Sequence, residues 1–412
     1  MYNSIDITLI LTLIQEILYM ERKFIPLSVP NFPGNEVKYV SEAVASTWVS
    51  TAGPLIPKFE KAMAEYMGTE KVVATNSGTA ALHLSLVDAG IGPGDEVICA
   101  ALTFIAAVNP VRFCGAEPVF VDCDKYFCMD PDSVQYFIDN YCEMQDGKLI
   151  NKTTGAHVKG MIPVHVFGNM ANMERLMDIA EKYNLFVLED ATESVGTFVT
   201  EGRYKGRHLG TIGHYGALSF NGNKVMTTGG GGMAICHNEE SRHNMAILSE
   251  EAQDMAKKED NLLFIHTDVG YNYRMNNIAA ALGLAQLEHL EDFVAAKNRN
   301  FAIYKELLDG KNGLKIIDYT PGIRSSMWFH QLYLDDCKIT RNEMIEGLAQ
   351  RRIQSRPIWL LNPDQAPYKD SLCMPLPNAR DYVGKIVNIP CSSNLTEEEV
   401  RIVCAEILDL TK

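Results

Sequence analysis

The chain has 412 residues, of which 47% are hydrophobic and 22% charged, with a formal net charge of −15. That length suits two domains rather than one, and the balance excludes a disordered or fibrous chain. The acidic total and the absence of any basic cluster longer than Arg351-Arg352 argue against a nucleic-acid partner.

The run Ile7 to Ile14 is too short to span a bilayer, and Asp6 and Glu16 flank it. It lacks a positive start and a small-residue cleavage site, so it does not read as a signal peptide. Apolar positions continue through Ile17 and Leu18, which predicts an amphipathic helix packed on the body or on a partner subunit. No membrane association and a cytoplasmic location are expected. The ten cysteines are scattered without a CxxC pair. They read as free thiols in a reducing compartment, and no metal site is expected.

From Lys71 to Cys236, seven short apolar runs alternate with helical patterns. The runs are 71–75, 96–99, 118–121, 160–164, 185–188, 216–220 and 232–236. Thr79 to Ala89 and Met173 to Tyr183 carry apolar residues at helical spacing. This alternation predicts an α/β fold, with a mostly parallel seven-stranded sheet covered by helices on both faces. After about residue 240 the pattern changes to a helical stretch over Asn276 to Asn298, continued at Phe301 to Leu308. A strand at Met327 to Leu334 and helices at Arg341 to Arg351 and Glu397 to Leu408 follow. The expected domains are an N-terminal segment (1–35), a large domain (36–259) and a smaller α+β domain (260–412).

Ligands of open parallel sheets bind beyond the strands' carboxyl ends, and three such loops carry unusual residues. Thr75-Asn-Ser-Gly-Thr79 joins a strand to a helix start, which suits a phosphate, although a plain helix cap accounts for it as well. Glu189, Asp190 and Glu193 follow directly on an apolar strand. A carboxylate there needs a cation or hydrogen bonds, or else caps the next helix. Lys224 lies in a loop of small residues ending in Gly229 to Gly232. The sequence lacks GxGxxG at the first strand–helix turn and GxxxxGK[ST], which weighs against nicotinamide and nucleoside-triphosphate chemistry. A phosphate seat, an acid and a lysine suit a phosphorylated aldehyde cofactor.

The loops resemble those of the DegT/StrS-type sugar-nucleotide aminotransferases, which are pyridoxal 5'-phosphate (PLP) enzymes of fold type I. The resemblance runs from about Phe24 to the C-terminus. It rests on 34–36, 48–53, 75–82, 102–104, 163–168, 189–190, 219–224, 227–229 and 270–275, in the family's order. It implies that Lys224 is the Schiff-base lysine and that Asp190 partners the pyridine nitrogen. Ser77, Gly78, Thr79 and Ser219 would hold the phosphate, Phe104 would stack on the ring, and His165 would lie near it. Glu193 stands where many members have Gln, near the phenolic oxygen, so its pKa is expected to be raised. Asn272 would reach the cofactor of the neighbouring subunit, which implies a homodimer with shared active sites.

Ser326 to Phe329, Arg356 to Trp359 and Asn388 to Ser393 are similar to a branch that aminates UDP-4-keto-6-deoxy-N-acetylhexosamines for bacillosamine and legionaminic-acid synthesis. For the nucleotide-sugar substrate, the resemblance offers Ser50, Trp328, His330, Arg356 and Trp359. L-Glutamate is the expected amino donor. GDP-4-keto-6-deoxymannose remains the alternative acceptor. A PLP-dependent sugar dehydratase is disfavoured by Lys224, and a regulatory protein on the same fold by the joint presence of Lys224 and Asp190.

Overall fold

The computed structural model describes residues 23–236, 238–252, 265–266 and 268–412. The expected N-terminal amphipathic helix and the expected boundary near residue 260 lie outside the described residues. The central sheet contains β1 (Val72–Thr75), β2 (Asp95–Ala100), β3 (Glu117–Val121), β6 (His157–Ile162), β7 (Phe186–Asp190), β9 (Tyr215–Ser219) and β10 (Gly232–Ile235). Their spatial order is β1-β10-β9-β7-β6-β2-β3. β10 runs antiparallel to both its neighbours, and the other pairings are parallel. Residues of these strands are buried almost throughout, as expected of strands covered on both faces.

The sheet is larger than expected. A hairpin of β4 (Cys142–Gln145) and β5 (Lys148–Asn151) attaches antiparallel to β6, making nine strands. Apart from Met144 its exposed residues are polar, and it contains no apolar run of the kind that marks the other strands. A two-stranded patch pairs β8 (Phe198–Val199) with β12 (Ile323–Arg324).

Beyond these, β11 (Leu314–Ile316), β13 (His330–Leu334), β14 (Arg356–Pro357) and β15 (Ile386–Ile389) form a four-stranded antiparallel sheet in the order β11-β13-β15-β14. It packs with the helices Leu290–Leu308, Arg341–Gln350 and Glu397–Leu410 around a second core. The segment near Ile25 joins this unit, through a parallel bridge to Ile353 and the Leu27 carbonyl accepting from Cys391 N–H at 2.8 Å.

The long helix expected over Asn276 to Asn298 breaks at Glu288 and His289 into Asn277–Leu287 and Leu290–Leu308. The first piece packs on the helices Glu36–Ala45 and Leu55–Met67, the second on Glu397–Leu410 and β11. One straight helix could not serve both surfaces. The strand expected from Met327 begins only at His330, because Met327 has a positive φ of 49°.

Candidate active site

Because β10 is antiparallel, its first residue lies at the same sheet edge as the last residues of β1 and β9. Gly232 pairs with both Thr75 and Ser219. The loop carrying Lys224 therefore leaves and re-enters the sheet beside the start of the helix Gly78–Asp88. A Cβ on Gly232 would stand 2.4 Å from the Ser77 carbonyl carbon, so only glycine lets the two segments meet.

At that helix start Ser77 Oγ accepts from Ala80 N–H at 3.1 Å. The Gly78 and Thr79 N–H groups have no acceptor among the described residues. They face the cavity with the positive end of the helix dipole behind them. A Cβ on Gly78 would stand 2.9 Å from Ser219 Cβ and 3.0 Å from Thr192 Cγ2. The bare helix start, Ser219 and Thr192 thus form a close cradle of anion-binding character, which fits a phosphate group.

The cradle opens into a cavity of about 780 Å³. Ser77, Gly78, Thr79, Phe104, Asp190, Glu193, Ser219 and Lys224 line it, together with Trp328, Arg356 and Trp359. Asp190 ends β7, and its Oδ1 accepts from Thr192 N–H at 3.0 Å. Burial raises its pKa, opposed by the hydrogen bonds of Thr192 and by the charge of Lys224. A buried carboxyl in this state gains from a protonated ring nitrogen. Glu193 Oε2 accepts from Phe167 N–H at 2.7 Å, while its Oε1 stands 3.9 Å from Lys224 Nζ. Burial pushes Glu193 up to about 7, against the pull of Lys224. Burial also lowers the pKa of Lys224, against Glu193 and Asp190. The result is an amine beside two carboxyls, with proton affinities drawn closer together than in water.

Four expected site residues lie elsewhere. His165 is fully buried beneath Asp190, with Nε2 bonded to Glu189 at 2.8 Å and Nδ1 accepting from Ala171 N–H at 3.3 Å. Its ring is committed to the core and does not line the cavity. His330 is a correction of the same kind. It sits wholly inside the small-domain sheet, 5.7 Å between ring centroids from Phe301 and from Tyr304. Wholly buried, it does not line the cavity, and burial, assisted by Lys297, holds it well below the usual histidine range. Ser50 lies on the surface, its carbonyl accepting from Asn277 N–H at 3.0 Å, and does not line the cavity. Asn272 is exposed and does not line the cavity.

Sequence reasoning missed Thr192, which stands within the acidic motif, and Asn223 and Asn388, which also line the cavity. Asn223 adjoins the lysine and was legible as a neighbour. Asn388 opens a segment that the resemblance singled out, but its place opposite Arg356 depends on strand pairing. No described helix is long and apolar enough to cross a membrane. No cluster of three metal-ligating side chains occurs among the described residues.

The sequence pattern of the DegT/DnrJ/EryC1/StrS aminotransferase family matches residues 31–408. GDP-perosamine synthase of Caulobacter vibrioides is 35% identical over 386 residues, covering 92% of this chain and 97% of its own length. EpsN of Bacillus subtilis is 33% identical over 394 residues, covering 94% of this chain and 96% of its own. The crystal structure of a DegT DnrJ EryC1 StrS aminotransferase from Brucella abortus superposes with a TM-score of 0.82 at 28% identity, covering 92% and 95% of the two chains.

Proposed function

The chain belongs to the DegT/DnrJ/EryC1/StrS aminotransferase family, a family of PLP-dependent sugar aminotransferases, and from that premise we propose that it moves the amino group of L-glutamate to the C4 ketone of a nucleotide-linked 4-keto-6-deoxy sugar. The observation that supports this is the meeting of Lys224, Asp190 and the helix start at Gly78 around one cavity. PLP supplies an aldehyde that takes up the amino group and a ring that withdraws electrons.

The remaining chemistry falls to this chain's residues. The Gly78 and Thr79 amides and the Ser219 hydroxyl would hold the phosphate, and Phe104 would cover the ring. Asp190 would favour a protonated ring nitrogen. Glu193, raised by burial, would be able to share a proton with the phenolic oxygen, since two anions there would repel each other. Lys224 would hold the aldehyde, and its Nζ, when free, would take and return the proton in the transfer, a role its burial-lowered pKa suits.

UDP-2-acetamido-2,6-dideoxy-4-keto-hexose is the acceptor the sequence motifs favour, which would place the product in bacillosamine- or legionaminic-acid-type glycans. The GDP-perosamine synthase relatives support GDP-4-keto-6-deoxymannose comparably. A coupled assay with glutamate and each ketosugar, read by mass spectrometry, decides between them. Amination of neither ketosugar overturns the proposal.

Shared active sites in a homodimer complete the reading. They would give Asn272, outside its own cavity, a role at the partner's.

A further inference from the structure

We propose that Asn388 is a specificity-determining residue, its side-chain carbonyl accepting a hydrogen bond from the sugar ring of a substrate whose diphosphate is held by Arg356. The inference rests on the nucleotide-sugar reading above and adds a subsite to it.

β14 and β15 pair antiparallel, with Arg356 directly opposite Asn388. Residues so paired send their side chains to the same face, with Cβ atoms about 5 Å apart. Both residues line the cavity that Lys224 also lines. Arg356 is exposed, and its guanidinium forms no hydrogen bond or ion pair with a described residue. Its donors are therefore available to an anion, and a guanidinium fork suits a diphosphate.

Asn388 differs in being 4% exposed. Its Nδ2 donates to the Pro357 carbonyl at 3.4 Å, which fixes the orientation of the amide. The reverse orientation would set two oxygens against each other. In the orientation present, Oδ1 is buried without any partner. A buried acceptor left unpaired is costly, and native structures rarely keep one without use.

The chemistry of the unpaired atom selects among the possible ligands. It needs a donor. The carboxylates of glutamate offer only acceptors, and its amine is engaged at the reacting carbon. A nucleotide sugar offers hydroxyl or acetamido N–H groups next to its diphosphate, matching an acceptor next to a guanidinium. Arg356 thus recognises what all nucleoside diphosphates share, and Asn388 recognises the sugar.

The test measures calorimetric binding to holoenzyme of UDP, UDP-N-acetylglucosamine, GDP and GDP-mannose. Wild type should bind one sugar conjugate more tightly than its parent diphosphate. Asn388→Ala should lose about tenfold for the conjugate and change by less than about twofold for the diphosphate. Arg356→Ala should weaken both by similar factors. Asn388→Asp keeps an acceptor, so it should preserve the ratio between conjugate and diphosphate while weakening each. It also stands in should the alanine variant fail to fold. Equal losses for conjugate and diphosphate in Asn388→Ala overturn the assignment. So does a slowed glutamate-driven absorbance change with conjugate binding intact, which would put Asn388 on the amino donor. If wild type binds none of the four probes, the nucleotide-sugar reading itself fails.

Discussion

Lys224 Nζ stands 3.7 Å above the centroid of the Trp328 indole. The indole is itself held, because Nε1 donates to the Asn223 carbonyl at 2.6 Å and the Trp328 carbonyl accepts from the buried Lys297 Nζ at 3.1 Å. One ring thus attracts the ammonium through its π face and anchors the residue preceding it in sequence. The lysine is guided from two directions by one side chain.

Trp328→Phe should keep an aromatic face beneath Nζ and lose about 1 kcal/mol with the Asn223 hydrogen bond. Trp328→Ala should cost about 3–5 kcal/mol, as expected for removal of a buried indole. Urea unfolding of both variants, with turnover measured alongside, checks this. A Phe variant as damaged as the Ala variant would show that the indole N–H, rather than the ring, matters.

Purified holoenzyme treated with borohydride should carry PLP on Lys224, the lysine beside Glu193 in the cavity that Asp190 lines. Peptide mapping of wild type and Lys224→Ala reads the outcome. A reduced adduct on another lysine in the variant would remove Lys224 from its role. Asp190→Asn should fold, because the amide keeps an oxygen for Thr192 N–H. It should lose most turnover, since a neutral amide cannot hold a ring proton against water.

Glu193 gives a stability signature. Its pKa rises from the ordinary 4.5 to about 7 on folding, so the folded apoenzyme binds a proton that the unfolded chain has lost. That contribution is complete below about pH 4.5 and is lost as pH rises through about 7. At about 1.4 kcal/mol per unit, the loss is of the order of 3 kcal/mol. Glu193→Gln should therefore flatten the decline of apoenzyme melting temperature across this window. Equal slopes in the two proteins would mean that Glu193 is ionised throughout.

How far the sequence discloses the site depends on what each residue's role requires. Asp190 and Lys224 sit in motifs at strand ends, where the local pattern alone suggests chemistry. Asn388 stands at the head of a segment that the resemblance picks out, but its partnership with Arg356 emerges only when β14 and β15 pair, because strand register across thirty-odd residues leaves no local mark. His165 and His330 mislead for the converse reason. His165 lies within a segment that resembles a functional one and His330 directly follows another, and only packing shows that neither ring reaches the cavity. The hairpin β4–β5 escapes because its short strands are mostly polar on their exposed positions, Met144 excepted, and read as loop.

Glu189, next to Asp190, was legible only as part of a motif, and its role is structural. Burial alone would raise its pKa. The His165 hydrogen bond and the Gly213 and Gly210 N–H groups outweigh burial and hold it below the ordinary range. It also accepts from Ile212 N–H, tying the 210–213 loop to β7. Glu189→Ala leaves these buried donors unpaired and should destabilise the fold by about 3–5 kcal/mol. Because the wild-type carboxyl is depressed, its stabilising effect is present above its unfolded pKa and is lost as pH falls through the folded value. Chemical unfolding at neutral and acidic pH should show the wild type and variant converging in acid. A gap that persists unchanged would assign the loss to packing.

The last prediction concerns Asn272. Its carbonyl accepts from Asn76 Nδ2 at 3.0 Å, and the neighbouring Tyr273 carbonyl accepts from Asn76 N–H at 2.7 Å. Arg274 fastens the same loop to Glu60 at 2.7 Å and Glu250 at 3.2 Å. The loop is therefore rigidly set beside the phosphate cradle, yet the Asn272 side chain is exposed outside its own cavity. A service to a second subunit fits that placement, and a domain-joining turn is the plain alternative. Losing one hydrogen bond to a charged phosphate should cost about 1.5–3 kcal/mol of cofactor binding. Inactive Lys224→Ala and Asn272→Asp subunits, dissociated together and reassociated, should then recover activity. Each mixed dimer would hold one site with both residues intact and one with neither. Mixed dimers that form but stay inactive, from two inactive parents, would return Asn272 to the role of a turn.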